Sequence, residues 1–86
     1  MTATPAEIET TILRLLGEAG PGKSISPTDA ARALIEGSEW HVLMPAVRRV
    51  AIRLAAAGRL VITRKGRPAD PNDFKGVYRL ALPRRD

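Results

Sequence analysis

The chain has 86 residues, 44% of them hydrophobic, which suits one domain around one core and leaves no room for a multi-layer enzyme fold. Cysteine is absent and His41 is the only histidine. Disulfides, thiolate metal sites, cysteine nucleophiles and any site needing two imidazoles are therefore excluded. Aromatics are limited to Trp40, Phe74 and Tyr78, so the core is expected to be aliphatic.

The formal net charge is +5, and it is unevenly spread. Residues 1–40 carry three basic and six acidic groups, whereas residues 41–86 carry eleven basic groups against Asp70, Asp73 and Asp86. No carboxylate lies between Glu39 and Asp70, the stretch that holds Arg48, Arg49, Arg53, Arg59, Arg64, Lys65 and Arg67. Charge of one sign on one side of a small domain focuses the field that a polyanion feels. Arginine outnumbers lysine eleven to three. Its planar guanidinium suits bidentate contact with phosphate or guanine, and equally suits surface ion pairs. No apolar run reaches the roughly 18 residues of a membrane-spanning helix. The first residues lack the basic start and apolar stretch of a signal peptide. A cytoplasmic location is the expectation.

In chain order, Thr4-Pro5-Ala6-Glu7 reads as a helix start, with Thr4 as cap, Pro5 at the first helical position and Glu7 closing a capping box. Ile8, Ile12, Leu15, Leu16 and Ala19 repeat at helical spacing, and Gly20-Pro21-Gly22 ends the helix, which runs from Pro5 to Ala19. Ile25 is expected as one rung of a sheet. Ser26-Pro27-Thr28-Asp29 repeats the helix-start pattern, and a short second helix carries Ala30, Ala31, Leu34 and Ile35 inward until Gly37 stops it. A turn through Ser38–Leu43 comes next. The third helix is expected from Pro45 to Ala57, with Val47, Val50, Ala51 and Leu54 inside and Arg48, Arg49, Ile52, Arg53 and Ala56 outside. Arg59–Arg64 and Val77–Leu82 alternate as an antiparallel strand pair. The connection from Lys65 to Lys75 is too long for an ordinary hairpin and reads as an ordered turn or a flap. The fold class is α+β. The order helix, short strand, helix, helix, strand, wing loop, strand is that of a winged helix-turn-helix. One domain over residues 1–86 is expected, ordered from about 5 to 82, with short tails at 1–4 and 83–86.

Several segments resemble the bacterial DUF3253 family, whose function is unknown. Gly22-Lys23-Ser24-Ile25-Ser26-Pro27 is similar to the opening of that family's pattern. Trp40-x-x-Leu43-Met44-Pro45-x-Val47-Arg48, Leu54-Ala55-x-x-Gly58, Gly66-Arg67-Pro68-x-Asp70-Pro71, Gly76 and Arg79-Leu80 are similar to its middle and end. The resemblance spans residues 8–82 and implies a small winged helix, with no activity attached. Members often carry cysteine where this chain has Ser26, so no thiol-dependent role carries over.

The candidate site is nucleic-acid-binding. Arg48, Arg49 and Arg53 lie within about 140° of one another at helical spacing. The corresponding helix of a winged helix enters the DNA major groove, where arginine bridges guanine O6 and N7. Arg64, Lys65 and Arg67 stand where a wing meets phosphates, although Asp70 and Asp73 come immediately after them. Asp70 is read as a turn residue that accepts backbone N–H groups or pairs with an arginine. The plain alternative for the helix is a solvated arginine face, and Ile52 in its middle is out of place there.

Gly20-Pro21-Gly22-Lys23-Ser24 is not a phosphate loop, because it follows a helix rather than a strand. Ser26 has a capping role and no base beside it, so it is not read as a nucleophile. His41 reads as a turn residue and Trp40 as a packing anchor. The expectation is a non-enzymatic module that binds double-stranded DNA, with no metal, no small-molecule cofactor and no membrane partner. The alternative is a protein-interaction module of the same fold that meets a partner or a second copy through Ile52, Val61 and the hairpin. RNA is a weaker third.

Overall fold

In the computed structural model, which describes residues 3–83, three α-helices pack on a four-stranded antiparallel sheet, an α+β arrangement compatible with a winged helix. The first two helices begin alike. At α1 (Pro5–Ala19) the Thr4 hydroxyl accepts the Glu7 N–H at 3.2 Å, and the Glu7 carboxylate accepts the Thr4 N–H at 3.0 Å. That return bond holds the Glu7 carboxyl below its usual range, with the Thr4 side chain adding a smaller push. At α2 (Pro27–Leu34) Ser26 and Asp29 repeat the exchange at 3.1 and 3.0 Å. Both boxes satisfy donors that a helix start leaves open, and proline fills a first-turn position in each. Between the helices lies β1 (Ser24–Ile25).

Helix α2 ends earlier than Gly37 implies. Ile35 is already extended, and Gly37, at φ +81°, opens a 3₁₀ helix over Gly37–Leu43. That segment leads straight into α3 (Met44–Ala56). Pro45 does not interrupt the path, because it sits in the first turn of α3, where a missing N–H forfeits no helical bond.

The sheet is β1, β2 (Val61–Arg64), β3 (Arg67–Pro68) and β4 (Arg79–Ala81), in the order β1-β4-β2-β3. Register aligns Ile25 with Leu80 and Leu80 with Ile62, so three buried side chains form one row toward the helices. The neighbouring row, Ser24, Ala81 and Val61, faces away. Val47, Val50, Ala51 and Leu54 of α3 meet Ile8, Ile12 and Leu16 of α1 in one buried cluster. Ala30, Ala31 and Ala51 have no accessible surface, and their small side chains let the helices come close.

The connection after β2 is shorter than it reads. Lys65 and Gly66 have φ +53° and +79°, positive at both central positions, and the chain folds back at once as β3. This is the geometry of a two-residue hairpin turn whose twist matches the strands. Pro68 is on the outermost strand, where it removes no ladder bond that the sheet needs. Ala69 then donates to the Ile62 carbonyl at 2.8 Å, and the Asp70 carboxylate accepts the Asn72 N–H at 2.9 Å in a local turn.

Helix α2 has eight residues, too few to persist without its cap and its packing. Ser26→Ala is expected to destabilise the protein by about 1 kcal/mol. Urea unfolding measures this directly; an unchanged midpoint contradicts the role given to the cap.

Candidate nucleic-acid interface

Packing divides α3 into three strips. Val47, Val50, Ala51 and Leu54 are buried; Pro45, Arg49, Arg53 and Ala56 are exposed along one line at helical spacing. Arg49 and Arg53 therefore project from the same face, one turn apart. Between these strips run Arg48 and Ile52, both half-buried. Ile52 packs against the core rather than pointing to solvent, which explains an apolar residue among arginines.

Arg48 has a specific partner. Its guanidinium carbon sits 3.9 Å from the centroid of the Phe74 ring and 5.7 Å from that of Tyr78. One Nη donates to the Phe74 carbonyl at 2.7 Å. Phe74 and Tyr78 meet edge to face at 5.0 Å, and both are buried. A cation over an aromatic face plus a charge-assisted hydrogen bond pins the long connection against α3. Arg64 does similar work from β2, with its Nε donating to the Val77 carbonyl at 3.3 Å. Gly76 makes room for it: at φ +83°, a Cβ there would come within 3.1 Å of the Arg64 guanidinium. Two of the six candidate cations thus hold their own protein together.

The other four are placed differently. Arg49, Arg53, Lys65 and Arg67 are exposed. Ion pairs among the described residues are confined to Arg14–Glu18 at 3.1 Å and Arg59–Glu9 at 3.8 Å, so none of the described carboxylates pairs with any of these four. Lys65 is at the tip of the β2–β3 turn, and Arg67 opens β3. Asp70 is exposed, its carboxylate engaged by the Asn72 N–H of its own loop, and its carbonyl also accepts the Asp73 N–H at 3.0 Å. Arg79 donates to the Ser24 hydroxyl and carbonyl at 2.7 and 3.1 Å, joining β4 to β1. Trp40 is half-buried against the core, with its ring edge-on to His41. Phe74 and Lys65-Gly66 are what sequence reasoning missed: an isolated aromatic in a loop has no period, and Lys-Gly is a weak hairpin signal.

The Arg48 cluster leads to two expectations. Arg48→Leu is expected to cost about 1–3 kcal/mol and to speed amide hydrogen exchange across Asp70–Tyr78, whereas Arg49→Leu stays within about 0.5 kcal/mol of the parent. Equal effects at the two positions contradict the assignment. The Tyr78 hydroxyl is buried without a hydrogen-bond partner among the described residues, and burial raises its pKa, which Arg48 opposes. A raised native pKa means that the phenol's contribution to stability is complete below the unfolded value of about 10 and is lost as pH rises beyond it. Tyr78 is the only tyrosine, so phenolate absorbance follows it alone. The native midpoint is expected above that of the urea-unfolded chain; coincident midpoints contradict it.

No curated protein matches this chain. A family model described as Protein of unknown function (DUF3253) matches residues 5–83, a span that takes in every helix and strand of the fold. The chain belongs to the DUF3253 family.

Proposed function

We propose that the protein binds double-stranded DNA, presenting the Arg49–Arg53 face of α3 to the major groove and the Lys65–Arg67 tip of the hairpin to phosphates. The observation that carries this reading is the set of four exposed cations with no carboxylate partner among the described residues, on two elements drawn from a stretch of sequence without acidic residues. A helix with its side chains measures roughly 10–12 Å across, close to the width of the major groove. Arg49 and Arg53, one turn apart, suit bidentate contact with guanine or a phosphate clamp. Arg48 and Arg64 act indirectly in this reading, by fixing the connection beside α3 and β2.

Four phosphate contacts imply a slope of about −3.6 in log affinity against log salt. Affinity then falls by roughly a hundredfold between 50 and 200 mM salt. Fluorescence anisotropy of a labelled mixed-sequence duplex at those two concentrations tests this. Arg49→Glu is expected to abolish binding while the fold persists, and absence of binding even at low salt overturns the reading. Lys65→Asn separates charge from geometry, because asparagine tolerates the left-handed conformation that Lys65 adopts. It is expected to unfold at higher temperature and yet to lower the salt slope by about one contact. A slope equal to the parent's removes Lys65 from the interface.

A further inference from the structure

We propose that the outer face of the sheet is a separate docking groove for an extended peptide segment with aliphatic residues at its centre and carboxylates at its ends. The face turned away from the helices carries the rows Ser24–Ala81–Val61 and Arg79–Thr63–Pro68. All of these except Arg79 line an open cavity of about 620 Å³, together with Lys23, Gly66 and Leu82. That volume lies in the range of ligand-holding clefts. Its floor is mostly aliphatic, through Val61, Pro68, Ala81 and Leu82. Val77, 87% exposed, lies two residues before Arg79 and so at the same parity along the chain.

The charge around this floor selects the occupant. Lys23 lines it, Lys65 lies in the turn next to its lining residue Gly66, and Arg79 bonds its lining residue Ser24, while the four strands carry no carboxylate. Arg79 is held beside the groove by its bonds to the lining residue Ser24, without an acidic partner among the described residues. Cations at the rim of an aliphatic floor complement a strand that offers side chains of both kinds on one face. A nucleic acid would find the same cations, but no aromatic ring lines the cavity on which a base could stack. The groove is distinct from the exposed strip of α3 and meets the proposed DNA-contacting surface only at the Lys65-Gly66 turn, so its centre at Val61, Thr63 and Ala81 is tested separately from DNA binding.

The test is an NMR titration of the isotope-labelled protein with a short peptide that has a valine-leucine centre and glutamate at both ends, beside the same peptide with lysine ends. The glutamate peptide is expected to shift Val61, Thr63, Ala81 and Leu82 and to leave Arg49 and Arg53 unmoved. Thr63→Glu is expected to weaken it by about tenfold or more through like-charge repulsion, whereas Thr63→Val retains it. Unchanged Leu80 and Ile62 methyl signals show that each variant is folded. The proposal is overturned by an absence of shifts at low salt, by equal binding of the lysine peptide, or by shifts centred on α3. It is equally overturned if a DNA duplex moves the same groove residues, or if they move with protein concentration alone, which would assign the face to a second copy.

Discussion

The contact between Arg48 and Phe74 decides how this chain can use its charge. With aromatics at 3% of the sequence, the connection between β2 and β4 has little apolar surface with which to hold itself down. The guanidinium, 3.9 Å from the Phe74 centroid and bonded to the Phe74 carbonyl at 2.7 Å, supplies what is missing. Its flat, weakly hydrated head can lie on a ring and still donate in its plane, which a lysine ammonium does not do equally well. Once Phe74 and Tyr78 are buried beside α3, β4 starts from a fixed point and closes the sheet between β1 and β2.

Two kinds of cation stand out in the basic half of the molecule. Arg48, Arg64 and Arg79 donate to backbone carbonyls, with Arg79 also reaching the Ser24 hydroxyl, and so join elements that are far apart in sequence. Arg49, Arg53, Lys65 and Arg67 point outward with no acidic neighbour paired to them among the described residues. The net charge of +5 does not distinguish these groups, because a count weighs a structural arginine and a free one equally. Geometry separates them, and it narrows the proposed contact set from six residues to four.

What was legible in the sequence is what local physics decides. Both capping boxes could be read because all their parts lie within four consecutive residues. The buried strip of α3 follows from period alone and is buried as expected, and the alternation of Arg59–Arg64 puts Leu60 and Ile62 together on what is the buried face. Ile25 pairs with Leu80 as the anticipated third strand. Asp70 accepts a backbone N–H as its turn context implied. The place of Arg48 was not legible, because its partner lies 26 residues away and nothing periodic marks Phe74. Strand β3 was hidden for another reason: Lys65 takes a left-handed conformation that usually signals asparagine or glycine. Gly37 illustrates a third limit, since the same glycine reads equally well as a helix stop or as the start of the next turn.

The division of the cations is the central claim, and one experiment addresses it directly: neutralise Arg48, Arg49, Arg53, Arg64, Lys65 and Arg67 singly, and measure for each variant both its unfolding free energy and its affinity for a DNA duplex. The account predicts two separable sets. Loss of Arg48 or Arg64 lowers stability, whereas loss of Arg49, Arg53, Lys65 or Arg67 leaves stability at or above the parent's and weakens binding with a shallower salt dependence. A scan in which all six variants keep full stability and lose affinity alike, or in which none loses affinity, would contradict it.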